Sequence, residues 1–169
     1  DLGGCLQKAN VDSGCSTTIW TDSSGMEEQL TDVRRSSAVF RGMENGRELE
    51  GSVNGKACCY MFDPDHPGSG EGVEIRGTIL PGARMSLISV SEMCEREGFT
   101  QVIQPSYQGE SGFYKEMANG KIVRLPITLD KRKGLYVAYY TVAANLSEAR
   151  KRACEMIHSD QLESAYIVT

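Results

Sequence analysis

Asp12 is followed by a hydroxyl residue and a glycine, within Val11-Asp12-Ser13-Gly14-Cys15-Ser16. Each residue type has a use in acid–base chemistry. Two carboxylates held about 3 Å apart cannot both ionise, so they share one proton. One can then activate water as a base while the other polarises a peptide carbonyl as an acid. Gly14 lets the backbone come close to the carboxylate, and the Ser13 hydroxyl can tie one such loop to a second. The same tripeptide is also a good turn sequence at the end of a strand. The chain carries one Asp-Ser-Gly; in Asp22-Ser23-Ser24-Gly25 the extra serine displaces the glycine, and that segment reads as a loop. A two-carboxylate site built from one motif needs a second copy of the chain, in a symmetric homodimer.

The elements that must position this motif are mainly strands. Val11, Ile19-Trp20, Val39-Phe40 and Cys58 to Phe62 read as short strands between turns. Asn45-Gly46 and Asn119-Gly120 are two-residue hairpin signals, because both residue types tolerate positive φ, and Asn54-Gly55 is a further turn candidate. The run from Asp63 to Gly70 is the clearest loop, and Val73, Ile75, Ile79 and Leu80 suggest the strand after it. A helix is expected from about Met85, with Leu87, Val90 and Cys94 on one face, Met93 beside them, Ser86 or Ser89 as cap and Gly98 as the stop. Val102-Ile103, Gly120 to Val123 and Leu135 to Tyr140 return to strand patterning. A second helix begins near Asn145, which with Glu148 forms a capping-box pattern; Leu146, Ala149, Ala153, Met156 and Ile157 make its apolar face. Ala165 to Val168 reads as a final strand.

The bulk properties narrow the functional classes. The chain has 169 residues and a net charge of −5, enough for one domain with a core or a small domain with an appendage. No apolar stretch is long enough to span a membrane, and the first residues do not read as a leader peptide. Arg34-Arg35 and Lys131-Arg132-Lys133 read as solvated loop charges and Arg150-Lys151-Arg152 as the basic face of a packed helix, so a nucleic-acid surface is not expected. The six cysteines, at 5, 15, 58, 59, 94 and 154, favour free buried thiols over a disulfide framework. No C-x-x-C occurs and His66 and His158 stand far apart, so no metal site is expected. Asp63, Asp65 and Glu71 lack the spacing of a calcium loop.

Several segments together resemble the retropepsin-like proteases of Copia-type retrotransposons. Asp12-Ser13-Gly14-Cys15-Ser16 resembles their opening motif, and Met43-Glu44-Asn45-Gly46 looks like their hairpin. The stretch Leu80-Pro81-Gly82-Ala83-Arg84-Met85-Ser86-Leu87-Ile88-Ser89-Val90-Ser91-Glu92-Met93, followed by Gly98-Phe99, is similar to the signature of that branch and is the most specific part. Gly120-Lys121-Ile122 and Gly134-Leu135-Tyr136 resemble the segment joining protease to integrase. The order matches over roughly residues 10–142.

The resemblance implies a mainly β, retropepsin-like acid-protease barrel with one or two helices over residues 1–99, and a C-terminal β/α extension over 100–169. It implies an aspartic endopeptidase that cuts a Gag–Pol-like polyprotein as a homodimer, with no cofactor, in the cytoplasm or in a virus-like particle. By position, Asp12 is then the catalytic carboxylate, Ser13 the grip between subunits, and Gly14 the residue that closes the loop. Met43, Glu44, Asn45 and Gly46 form a flap over the substrate, and Leu80, Pro81 and Gly82 support the active loop. The alternative expectation is a catalytically inactive dimerisation or scaffold module of the same fold, in which Asp12 only caps a turn.

Overall fold

The stretch Ala57-Cys58-Cys59-Tyr60-Met61-Phe62 shows no alternation of apolar and polar residues, and the reason is that both of its faces are covered. Ala57, Cys59 and Met61 point into the main core, while Tyr60 and Phe62 meet a helix on the opposite face. The computed structural model describes residues 6–22, 26–44 and 47–157. In chain order they form β1 (Leu6–Asp12), β2 (Ile19–Trp20), a single turn α1 (Met26–Gln29), β3 (Thr31–Arg35), β4 (Val39–Glu44), β5 (Arg47–Glu50), β6 (Val53–Asp63), β7 (His66–Ile79) and β8 (Ser86–Ser89). There follow α2 (Val90–Glu95), β9 (Thr100–Val102), β10 (Gly112–Glu116), β11 (Ile122–Pro126), β12 (Thr128–Asp130), β13 (Leu135–Ala143) and α3 (Leu146–Ile157).

The fold is mainly β, and its centre is a six-stranded barrel. Going round, β13, β1, β8, β2, β7 and β6 each bond to the next, and β6 closes back onto β13. Closure removes the open edges that an unpaired sheet would present. The β1–β8 and β2–β7 pairs are parallel and the others antiparallel. β12 extends β13, and β3 extends β6. β4 and β5 form a separate hairpin, and β9, β10 and β11 a separate three-stranded sheet.

One apolar cluster fills the barrel and draws on the chain from Ala9 to Val142, including Trp20, Cys59, Met61, Ile75, Ile88, Met93, Phe113, Leu125 and Tyr140. Trp20 and Tyr140 meet with ring centroids 5.9 Å apart. α3 lays Ala149, Ala153 and Met156 over Tyr60, Phe62 and Ala143, and it is capped as its sequence suggests, by Glu148 N–H donating to Asn145 Oδ1 at 2.9 Å.

Four local expectations are revised. The boundary at residue 99 falls between α2 and β9, but the segment beyond it supplies β13, which bonds to both β1 and β6. The extension is therefore built into the barrel rather than appended to it. Leu87 and Ile88 are not helical: they lie in β8, inserted between β1 and β2 and buried, so the helix is only Val90–Glu95. The expected loop after Asp63 tightens to a short turn, and His66 already pairs back with Asp63 as β7 begins. Its glycines permit close packing, since a Cβ on Gly70 would stand 2.4 Å from Met61 O and 2.6 Å from Tyr60 Cζ. Asn54-Gly55 lies inside β6, where Gly55 makes room for Leu30. The expected strand at Ala165 to Val168 lies outside the described residues. No helix among the described residues is long and apolar enough to cross a membrane.

Candidate active site

Asp12 is the last residue of β1, which the barrel holds on both sides. Its N-terminal part pairs with β13, and its last four residues run parallel to β8 with Asp12 opposite Ser89. The chain then leaves the sheet and turns. Gly14 N–H donates to Asp12 Oδ1 at 2.7 Å, the side-chain-to-backbone bond by which an aspartate closes a turn. A Cβ on Gly14 would lie 3.3 Å from that same oxygen. Glycine therefore lets the amide reach the carboxylate without crowding it. Asp12 is half-buried, and Ser13 and Gly14 are exposed, so the loop presents its carboxylate and hydroxyl at the surface.

The far end of the loop is fixed by groups distant in sequence. Ser89 Oγ donates to Cys15 O at 2.7 Å, Ser89 N–H donates to Thr18 Oγ1 at 3.1 Å, and Thr18 N–H donates to Glu92 Oε1 at 2.5 Å. Ser89 Oγ also accepts the Glu92 N–H at 3.2 Å, capping α2. The short segment from Ser89 to Glu92 thus grips the loop from Asp12 to Thr18 through three hydrogen bonds. Cys15 turns inward, its Sγ donating to Thr17 O at 2.7 Å. Burial pushes this thiol above its ordinary value, and the Asp12 and Glu92 carboxylates act in the same direction.

Beside the loop lies an apolar patch in which Ile19, Leu80 and Leu87 are buried, with Cys15, Phe40, Leu49 and Ala83 packed against them. Phe40 and Leu49 are a cross-strand pair of the β4–β5 hairpin, so the root of the hairpin rests on the loop that follows Asp12. Met43 and Glu44 continue β4 toward the tip, where Glu44 pairs with Arg47. Asn45 and Gly46 lie outside the described residues.

Leu80, Pro81 and Gly82 follow β7 and lie beside β2. Leu80 N–H donates to Trp20 O at 2.9 Å, and Ala83 N–H to Leu80 O at 3.1 Å. With Pro81 second and Gly82 third at φ +90°, the segment has the residues a type II turn requires. It supports β2, the strand leaving the loop, while the strand directly beside Asp12 is β8. Sequence reasoning assigned no part in the site to Thr18, Ser89 and Glu92. Ser89 was visible as a helix cap, but no local pattern announces a bond from Thr18 to a carboxylate 74 residues away. No family model, curated protein or solved structure matches the chain.

Proposed function

We propose that the chain is one half of a retropepsin-like aspartic endopeptidase, active as a homodimer on a Gag–Pol-like polyprotein of the Copia type. The observation that carries this reading is the placement of the single Asp-Ser-Gly. Asp12 ends a barrel strand, its carboxylate accepts the Gly14 N–H at 2.7 Å, it pairs with Ser89 of the buried strand β8, and the loop after it packs Cys15 against an apolar patch that includes Phe40 and Leu49 of the hairpin. One subunit supplies one carboxylate. A two-fold axis through the loop brings a second Asp12 to it, and the pair shares one proton. One carboxylate then takes a proton from water as that water attacks the scissile carbonyl, and the other gives its proton to the carbonyl oxygen. The hairpin root over Cys15, Leu80 and Leu87 supplies an apolar wall against which a substrate side chain can lie and exclude water.

The test is self-cleavage of a polyprotein containing this chain, with mass in solution measured alongside. Asp12→Asn abolishes cleavage and leaves the unfolding transition and the dimer mass in place. Specific activity of the wild type falls on dilution, because the site is shared between subunits. Cleavage that persists in the folded Asp12→Asn chain removes the protease reading and leaves a dimerisation or scaffold module.

A further inference from the structure

Resting on the protease reading above, we infer that Glu92 is a positioning residue for Asp12: its carboxylate clamps the outgoing end of the catalytic loop through the Thr18 N–H, and Arg96 holds that carboxylate in place. The loop has two ends. The incoming end is a barrel strand and is fixed by pairing on both sides. The outgoing end, at Thr18, precedes the two-residue strand β2 and has far less sheet to hold it. There the Thr18 N–H donates to Glu92 Oε1 at 2.5 Å, and the other oxygen, Oε2, meets Arg96 Nη2 at 2.5 Å one helical turn on. The Glu92 side chain is only 11 % exposed, whereas Arg96 is half exposed. Both oxygens of this largely buried carboxylate are therefore engaged, and a bond from a carboxylate to a backbone N–H is among the strongest single ties a loop can have.

The consequence follows from the geometry of a shared site. Two carboxylates from two chains must meet within hydrogen-bond reach, so an error in either loop is an error in their separation. Each loop is tied at Thr18 by its own Glu92, beside the bonds from Ser89 and from Thr78 N–H to Thr18 O. Loss of this clamp leaves the hairpin pair Phe40 and Leu49 held by its own strand pairing. It lets the carboxylate drift, and a misplacement of about 1 Å can cost about 100-fold in rate.

The test combines kinetics with a signal that does not require activity. In the full-length dimer, Glu92→Ala lowers kcat by about 100-fold with KM within about twofold. Glu92→Gln recovers most of kcat, since its amide oxygen still accepts the Thr18 N–H, and Arg96→Gln falls between the two. In nitrogen-15-resolved spectra of the wild type, the Thr18 amide proton lies well downfield and exchanges slowly with solvent. Glu92→Ala moves it upfield and exposes it to exchange, and Glu92→Gln keeps it protected. Wild-type kcat in Glu92→Ala, a loss that Glu92→Gln does not rescue, or an unmoved Thr18 amide each overturns the positioning role. Should Glu92→Ala fail to fold, the decision passes to Glu92→Gln and Arg96→Gln: Glu92→Gln as slow as or slower than Arg96→Gln overturns the role. A wild type that shows the Thr18 signal without Asp12-dependent cleavage overturns the protease reading instead.

Discussion

Cys59 and Tyr140 are ionisable, yet neither has any solvent exposure. Burial pushes the Cys59 thiol far above its ordinary value of 9.0 and the Tyr140 phenol far above its ordinary value of 10.0. Both groups therefore stay protonated in the fold at a pH where they would ionise in an unfolded chain. The sign follows from linkage: a raised folded-state pKa gives stability that is complete below the unfolded value and is lost as pH rises past it. Stability should hold up to pH 9.0 and then fall, first through Cys59 and then through Tyr140. By about pH 10.5 the Cys59 share of the loss is about 2 kcal/mol. Urea unfolding at neutral and alkaline pH reads this directly, and Cys59→Ala isolates the thiol by removing its share of the alkaline loss. An alkaline loss of equal size in both proteins would sink the assignment. The two cysteines of the pair face opposite sides of β6, as their adjacency in a strand demands. That Cys58 and Cys59 take opposite faces is readable from the sequence alone; that Cys59 faces the main core is shown by the fold.

Among the elements, β8 and α2 form one unit joined at Ser89. This serine is fully buried, caps α2 through the Glu92 N–H and donates to Cys15 O. Replacing it by alanine removes the cap, worth about 1 kcal/mol, and strands a carbonyl that then lacks its partner, worth about 1 kcal/mol more. Ser89→Ala should thus lower unfolding stability by about 2 kcal/mol, measured as a shift in the urea midpoint at unchanged slope; a shift within error of zero would show that the loop finds other partners. The same unit shows where sequence reading succeeds and where it stops. Ser89 as a cap, Asn145 as a cap, and the Asp12–Gly14 turn are all bonds between residues two or three apart, so their chemistry is written locally. The helical spacing of Leu87, Val90 and Cys94 was equally local but misleading. Leu87 and Ile88 are apolar because β8 is enclosed between two other strands, and a short continuous apolar run does not by its period distinguish that from a helix. The glycines at the start of β7 misled in the same way: they suggested a loop, and Gly70 serves instead to let Tyr60 approach the strand, a Cβ there standing 2.6 Å from Tyr60 Cζ. The clamp on Thr18 was out of reach because its partner is brought in by the fold alone.

For the molecule as a whole, the decisive fact is which strand closes the barrel. β1, which carries Asp12, is held on one side by β8 and on the other by β13, and β13 also binds β6. A core ending at Phe99 would lack β13 and the sheet of β9, β10 and β11. It would therefore lose Phe113, Leu125, Ile127, Ala138, Tyr140 and Val142 from the main cluster. Each large apolar side chain in that set contributes about 1.5–3 kcal/mol by burial, whereas the net stability of a domain is only about 5–15 kcal/mol. The missing residues thus match the whole margin, before the exposed edges of β1 and β6 are counted. Cutting the chain after Phe99 should give a polypeptide with no cooperative unfolding transition, rather than a smaller folded domain. Trp20 reports the outcome, because it is completely enclosed and lies against Tyr140, which the shortened chain lacks. Its emission should shift to the red, toward that of the urea-unfolded protein, and its near-ultraviolet dichroism should vanish. A shortened chain that keeps the native Trp20 signal and unfolds cooperatively would show that the barrel closes without β13, and would restore residues 100–169 to the status of a separate appendage.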